Sequence, residues 1–169
     1  MSYTVFRSDL MSGTDVAADL ISARVYDTDE ENTIAVENGT IIELKGLEDG
    51  EREIYKAVLA TSTSALSNCA VVGAPEVFYD ERQKNLDEFI NEAGTPVRGY
   101  ILRSRNMFSV TKEGFVSGTA PEKGDEVGIG ANGKINASGT GLGTCAAVET
   151  AGRYTYYTIR IGNTENVGG

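Results

Sequence analysis

β-Branched and aromatic residues come in short runs along most of the chain, and glycine-containing turns separate these runs. Runs of this kind predict β-strands. The segment from Glu53 to Ala60 alternates almost strictly between apolar and polar positions, as does the segment from Tyr154 to Ile161. Alternation in the latter places Tyr156 and Ile159 on opposite faces of one strand. The predicted strands cover residues 33–36, 40–44, 53–60, 71–72, 77–79, 97–102, 107–111, 126–129, 134–136, 145–148 and 154–161.

Two Asn-Gly pairs predict tight turns between strands. Asn38-Gly39 lies between two β-branched runs, which is the strongest short signal for a hairpin. Gly128-Ile129-Gly130-Ala131-Asn132-Gly133 matches the dinucleotide-binding pattern formally, but no helix-forming segment follows it. We therefore interpret Asn132-Gly133 as a type I′ hairpin turn. The next glycine-rich segment, residues 139–143, lacks the Gly-Lys-Ser/Thr of a phosphate loop and is expected to be a mobile surface loop.

One segment departs from the β pattern. Asp80 is a candidate N-cap, the apolar positions of the segment are spaced three and four apart, and Gly94 and Pro96 end it. These apolar positions are Leu86, Phe89, Ile90 and Ala93. The sequence thus predicts one amphipathic helix near residues 81–93. The expected fold is mainly β, a barrel or sandwich of short antiparallel strands with this helix packed on it, which is an α+β arrangement.

The N-terminal residues 1–24 show no clear period. Residues 16–21 fit either a short helix or part of an extended arm that becomes ordered only against a partner. The predicted organisation is an arm over residues 1–24 and a β-rich domain over residues 25–169, with a candidate sub-boundary near residues 94–96. Deletion of residues 1–22 is then expected to leave a folded domain.

Composition narrows the class of function. A chain of 169 residues fits one ordinary domain, and 40% hydrophobic with 24% charged residues is typical of a folded protein. The net charge of −10 argues against binding to nucleic acid or to membranes. The chain has no histidine, which excludes Ser-His-Asp and Cys-His catalysis and His-ligated zinc. We expect no cofactor, no enzymatic activity and, without an apolar leader in residues 1–7, synthesis in the cytoplasm.

The two cysteines, Cys69 and Cys145, each lie in a small apolar run and are too far apart in sequence for a Cys-x-x-Cys motif. In a reducing cytosol two buried free thiols are favoured over the alternative, a structural disulfide between Cys69 and Cys145.

Charge is distributed unevenly along the chain. The segment from Asp27 to Glu53 holds ten carboxylates and two cationic residues, whereas Val97 to Lys112 holds Arg98, Arg103, Arg105 and Lys112 and no acid. Residues 27–38 resemble the start of a calcium loop but lack its sixth-position glycine and twelfth-position glutamate, so a solvated loop is favoured over weak Ca²⁺ binding. The basic segment is either a solvated strand face or a docking surface for a complementary partner.

Several segments resemble small structural proteins of tailed phages that infect Gram-positive bacteria. They are residues 38–47, 50–57, 93–100, 108–111 and 121–125. Genes of this family are taken to encode capsid decoration (cement) proteins. The family has no active site, so the resemblance assigns no catalytic residue in this chain. The resemblance implies a virion protein on the capsid exterior, made in the host bacterial cytoplasm, whose partners are the major capsid protein and itself, as a homotrimer or another homo-oligomer. The residues expected to bind the capsid are Tyr3, Val5, Phe6, Leu10, Arg98, Arg103 and Arg105.

Two alternatives remain open at this point. Another phage head or tail component would share the composition and the lack of catalytic groups. A carbohydrate-binding β-sandwich would use Tyr154, Tyr156 and Tyr157, provided that several of these rings are exposed together.

Overall fold

The fold consists of a small closed β-barrel packed against an open β-sheet. A computed structural model of the chain describes residues 2–7, 11, 19–77 and 85–162. The strands of this described part are β1 (Leu20–Tyr26), β2 (Ile41–Leu47), β3 (Ile54–Leu59), β4 (Cys69–Val72), β5 (Val97–Ile101), β6 (Met107–Val110), β7 (Glu126–Ile129), β8 (Ile135–Asn136), β9 (Gly143–Ala151) and β10 (Tyr154–Ile161). Its helical turns are all 3-10 turns, at Leu66–Asn68, Leu86–Glu88, Lys112–Gly114, Val116–Gly118 and Ala131–Gly133. No helix in these residues is long and apolar enough to cross a membrane.

The barrel has the strand order β1-β3-β2-β4-β5 and closes where β5 pairs with β1. β1 runs parallel to β3, and the other neighbours in the barrel are antiparallel. A five-stranded barrel is narrow, so its interior favours small side chains. Ala23, Ala57 and Ala70 are fully buried there. A Cβ on Gly99 would lie 3.1 Å from Ile21 Cδ1, which shows how tightly the interior is filled.

The second sheet has the order β6-β10-β9-β7-β8, and its inner face packs against the outside of β2 and β4. The main core lies between the two units, where Ile41 and Val71 from the barrel meet Phe108, Ile159 and Ile161 from the sheet. Ala146 is the extra residue of a bulge in β9, because Thr158 of β10 pairs with Ala147 and Ile159 pairs with Cys145. The pairing register therefore shifts by one residue at this point. The prediction of a mainly β barrel or sandwich is confirmed.

The prediction of a helix near residues 81–93 is wrong for residues 85–93, which is the part that the structure describes. Leu86–Glu88 form a single 3-10 turn, and Phe89 is extended (φ −83°, ψ 132°). Asn91 then pairs with Val36, each backbone N–H donating to the other carbonyl (2.9 and 3.0 Å). The backbone needs an extended conformation for this pairing, which a helix would not allow. Residues 81–84, and residues 78–79 of a predicted strand, lie outside the described residues.

The two Asn-Gly predictions have opposite outcomes. Asn132 and Gly133 both have positive φ (57° and 68°), and β7 pairs with β8 across them, so this hairpin is confirmed. Asn38-Gly39 does form a turn, with φ of +83° at Gly39, but residues 33–36 do not pair with β2. The Asn38 side chain is buried and bonds Ala74 and Asn91 instead, so its amide joins three loops.

The predicted domain boundaries are not supported. β1 begins at Leu20 and crosses the predicted boundary at residue 24, so deletion of residues 1–22 would remove part of a barrel strand. At the predicted sub-boundary, a turn in which Thr95 N–H donates to the Glu92 carbonyl (3.2 Å) leads directly into β5 of the same barrel. Of the helix suggested for residues 16–21, residues 16–18 lie outside the described residues, and Leu20 and Ile21 belong to β1, so the helix is wrong for these two residues.

The loop at residues 139–143 differs from the predicted mobile surface loop in its packing. A Cβ on Gly139 would lie 3.0 Å from the Cα of Gly128, and one on Gly128 would lie 2.6 Å from the Thr140 carbonyl oxygen. Leu142 is fully buried in the core. These glycines therefore allow two backbones to approach closely, and they do not form a phosphate site.

Cys69 and Cys145 are buried free thiols, as predicted. Burial, together with the nearby charge of Glu43, raises the pKa of Cys69 to about 12. Burial also raises the pKa of Cys145. Because the thiolate is the reactive form, both groups are chemically protected in the folded protein.

We expect native protein at pH 8 to react with iodoacetamide far more slowly than the same protein in denaturant, where both thiols are exposed at their ordinary pKa. Mass spectrometry of intact protein over time measures the difference. Rapid native modification of Cys69 would contradict its burial in β4.

Candidate functional site

The residues predicted from sequence to bind a capsid divide into two groups in the structure. Val5 and Phe6 are only 1% and 4% exposed, so their side chains are part of the core and do not face a partner. This corrects their predicted role. Tyr3 is half-buried, and Leu10 lies outside the described residues. Thr4, Val5 and Phe6 are buried in succession, because this segment has protein on both of its faces. Its sequence therefore lacks the alternation of apolar and polar residues that marks a half-exposed strand.

Residues 2–7, which we call the N-terminal strand, extend the second sheet beyond β6. Phe6 pairs antiparallel with Val110. Thr111 N–H donates to the Val5 carbonyl, Val5 N–H donates to Thr111 Oγ1, and Arg7 N–H donates to the Ser109 carbonyl, each at 3.1 Å. An edge strand with its backbone groups paired in this way continues the sheet. In the structure these residues of the predicted N-terminal arm form an edge strand of the second sheet.

The Phe6 ring occupies a socket between the barrel and the sheet. It lies 6.0 Å from the Phe108 ring and 6.4 Å from the Tyr100 ring, measured between centroids. The third wall of the socket is the backbone of Gly73, where a Cβ would lie 2.6 Å from Phe6 Cε1 and 2.7 Å from Tyr100 Cε2. The socket thus exists only because residue 73 has no side chain.

Polar groups hold the N-terminal strand on either side of the socket. Glu37 Oε2 accepts hydrogen bonds from Thr4 N–H (2.8 Å) and Thr4 Oγ1 (2.7 Å), and the other oxygen of Glu37 lies 3.5 Å from Lys134 Nζ. The guanidinium carbon of Arg7 lies 5.3 Å from the centre of the Tyr156 ring. Glu37 thus connects the strand to the β7–β8 hairpin.

Asp87 joins the start of the N-terminal strand to the β9–β10 hairpin. Its carboxylate accepts hydrogen bonds from Ser2 (3.1 Å), Arg153 (2.7 Å) and Tyr154 (2.9 Å), and its carbonyl accepts one from Tyr3 N–H (2.8 Å). Burial raises the pKa of Asp87, but the bonds from Tyr154 and Ser2 and the charge of Arg153 outweigh it, so the pKa lies below its ordinary value. This contribution to stability is present above the unfolded-state pKa and is lost as the pH falls through the folded-state pKa.

The basic residues predicted from sequence are exposed, as a docking role requires. Arg98 projects from the outer face of β5, and Arg103 and Arg105 lie in the turn between β5 and β6. Arg103 pairs with Asp19 (Nη2 to Oδ1, 2.8 Å), which raises its pKa. Arg98 and Arg105 have no ion-pair partner in the described part of the chain. We call these two residues the arginine pair. Lys112, the remaining cationic residue of the basic segment, is likewise exposed and has no ion-pair partner in the described part of the chain.

Part of the acidic segment is neutralised on the outer face of β1 and β3. Glu48 contacts Arg24 and accepts a hydrogen bond from Tyr26, which is the main reason that the pKa of Tyr26 is raised. Lys56 lies over the Tyr26 ring at 4.8 Å and pairs with Glu30 at 3.2 Å. Within residues 27–53, the exposed carboxylates that have no ion-pair partner among the described residues are Asp29, Glu31, Asp49, Glu51 and Glu53.

The segment that resembles a calcium loop closes on itself. The Asp27 carboxylate accepts hydrogen bonds from Glu31 N–H (3.0 Å) and from the Asn32 amide (3.1 Å), which lower its pKa. An aspartate that bonds residues a few positions ahead forms a turn by itself. Within the described ranges, no three His, Cys, Asp or Glu side chains are grouped so that they would hold a metal ion.

The tyrosines of β10 do not form an exposed platform. Tyr156 is buried beneath Arg7, Tyr157 packs edge-on against Phe115 at 5.4 Å, and the Tyr154 hydroxyl is bound to Asp87. The condition on which the carbohydrate-binding alternative depended is therefore not met by these three residues.

Comparison with known proteins does not identify a family for this chain. No protein-family model matches the chain, and neither a search of curated proteins nor a search of solved structures gives a match.

Proposed function

We propose that this protein is a non-enzymatic virion structural protein that binds the outer surface of a phage capsid and stabilises it. The observation that carries the proposal is the arginine pair. Arg98 and Arg105 are exposed and unneutralised, in a chain whose net charge is −10. Exposed charges without internal partners are available to a complementary surface, where they orient association. The resemblance to phage decoration proteins, which covers most of residues 38–161, supplies the class of partner.

The unpaired carboxylates of the loops at residues 29–31 and 49–53 supply the second half of the argument. Their charge opposes non-specific aggregation of the free protein, because surfaces of like sign repel at distances up to about a Debye length, ~8 Å at physiological salt. A protein that must remain dispersed until it meets many equivalent positions on a shell benefits from this repulsion.

Charge reversal tests the docking role of the arginine pair. We expect the double variant R98E/R105E to bind capsids that lack this protein about tenfold more weakly, since exposed charge pairs contribute roughly 0.2–1 kcal/mol each and reversal adds repulsion. Binding of the unmodified protein should also weaken as salt is raised. Sedimentation of capsids with bound protein measures both effects.

The matched control is R52E/K123E, which makes the same charge change at two other exposed residues without ion-pair partners. It should leave binding close to that of the unmodified protein. Equal loss in the two double variants would mean that net charge matters and that the arginine pair has no specific role. Binding that does not change with salt would rule out electrostatic docking.

Copy number distinguishes capsid decoration from another head or tail role. A decoration protein occupies the equivalent positions of the whole shell, whereas a connector or tail component is present as one or a few rings. Gel densitometry of purified virions against the major capsid protein should give hundreds of copies, and a count of one or a few rings would favour the alternative.

A further inference from the structure

The turn between β5 and β6 places an arginine where glycine is the usual residue. Asn106 N–H donates to the Arg103 carbonyl (3.1 Å), which closes a four-residue turn. Arg105, the third residue of this turn, has a φ of +71°, and no other residue of the turn has a positive φ. This is the pattern of a type II turn, whose third position favours glycine or asparagine because other side chains strain the backbone there.

Contacts with both halves of the fold hold the turn in this strained conformation. Arg105 N–H donates to the Ile161 carbonyl (3.0 Å), and Ile161 N–H donates to the Asn106 carbonyl (2.9 Å), so the end of β10 binds the turn. Arg103 donates to one carboxylate oxygen of Asp19 from Nε (2.9 Å) and from Nη2 (2.8 Å), which ties the turn to the start of β1. A turn that is fixed in this way loses little conformational freedom when it binds a partner.

The Arg105 side chain has no role within the described chain that would explain its conformation. Three other non-glycine residues there have a positive φ: Glu30, Ser117 and Asn132. Asparagine tolerates this conformation, Ser117 has a small side chain, and Glu30 pairs with Lys56 (3.2 Å). Arg105 is exposed, and no ion pair or side-chain hydrogen bond joins it to another described residue. Strain that stabilises nothing inside the fold points to a contact outside it.

We infer that Arg105 is the residue through which this turn binds an exposed carboxylate on the outer surface of the capsid. The inference rests on the proposed function and names the group that recognises the partner. A guanidinium donates two parallel hydrogen bonds to a carboxylate, so it recognises an acidic side chain by shape as well as by charge. Asp19 already engages Arg103, so Arg105 is the arginine of this turn whose guanidinium is free to bind.

Thermal stability provides the first half of the test and does not involve the capsid. Arg105→Gly relieves the backbone strain, so unfolding followed by circular dichroism should give a Tm about 2 °C above that of the unmodified protein. Ser117→Gly is the matched backbone control, because Ser117 is exposed with a φ of 57°, and it should raise the Tm by a similar amount. Arg52→Gly removes an exposed arginine whose φ is not positive, and it should not raise the Tm.

Binding to capsids that lack this protein provides the second half. Arg105→Gly should bind about fivefold more weakly in sedimentation experiments, because one charged contact is lost. Ser117→Gly and Arg52→Gly should bind as the unmodified protein does, which separates the Arg105 contact from the change in backbone and from the loss of one positive charge. Arg105→Lys keeps the charge without the paired donors, so its affinity should lie between those of Arg105→Gly and the unmodified protein.

The two measurements together distinguish the inference from the proposed function. A higher Tm combined with weaker binding, found in Arg105→Gly alone among the three glycine variants, supports the inference. If Arg105→Gly binds as tightly as the unmodified protein, the inference is wrong and the proposed function stands. A lower Tm in Arg105→Gly would show that the arginine stabilises the fold, which overturns the inference. If the unmodified protein does not bind capsids, the proposed function fails and the inference fails with it.

Discussion

Replacing Phe6 with alanine is expected to lower the free energy of unfolding by about 3–5 kcal/mol, the usual range for a buried phenylalanine. The ring is 4% exposed and fills a socket whose walls come from both the barrel and the second sheet. Its loss leaves a cavity that the surroundings cannot fill, because two of these walls belong to β5 and β6. Urea denaturation followed by circular dichroism measures the change.

Leu47→Ala is the control for the Phe6 variant, because Leu47 is 50% exposed at the end of β2. Its effect should stay within about 0.5 kcal/mol. A Phe6→Ala variant as stable as the Leu47→Ala variant would show that residues 2–7 do not belong to the core, and that the sequence-based expectation of a separate arm was right after all.

The second large effect is expected at Gly133. Its φ is +68°, and a Cβ there would lie well inside contact distance of the Ile41 carbonyl oxygen on β2. Gly133 N–H also donates to the Ala60 carbonyl (3.1 Å), so the β7–β8 hairpin is held directly against the barrel. Gly133→Ala should therefore cost about 1–2 kcal/mol for the left-handed backbone and about 1–3 kcal/mol more for overpacking.

Gly118→Ala provides a matched comparison, because Gly118 has nearly the same φ, +65°, with no atom within 4 Å of the added Cβ. It should lose only the backbone part, about 1–2 kcal/mol. The difference between the two variants in free energy of unfolding isolates the close approach of the hairpin to the barrel. Equal losses would mean that the hairpin and the barrel are not in contact at this point.

The sequence predicted the second sheet better than the barrel, for a physical reason. β10 has one face in the main core and one face outside it, so apolar and polar residues alternate clearly along its sequence. Ile159 and Tyr156 lie on opposite faces, as expected. Three of the eight buried residues of the barrel cluster are alanines, Ala23, Ala57 and Ala70, and alanine gives a weak hydrophobic signal in a strand. Ile21 and Val25 do alternate with polar residues in β1. This strand was not predicted because the residues before it show no regular alternation, and the whole segment was interpreted as an arm.

The contacts that hold the N-terminal strand were not predictable from local pattern. Glu37 lay within a segment interpreted only as acidic, and Asp87 lay within a predicted helix, yet both bind residues 2–4. Each partnership spans more than thirty positions in sequence. The hairpin predicted at Asn38-Gly39 is wrong because an Asn-Gly pair determines the local backbone geometry of a turn. It does not determine which strands pair on either side of that turn.

Heat stability of virions tests the proposed capsid-binding function most directly. A protein that binds the assembled shell and not its free subunits adds its binding free energy to the assembled state. Particles without this protein should therefore form with normal size and release their DNA at a lower temperature than the parent particles. Addition of the purified protein should restore the parental temperature, and addition of the R98E/R105E variant should restore it less well. DNA release at the same temperature with and without the protein would contradict the account.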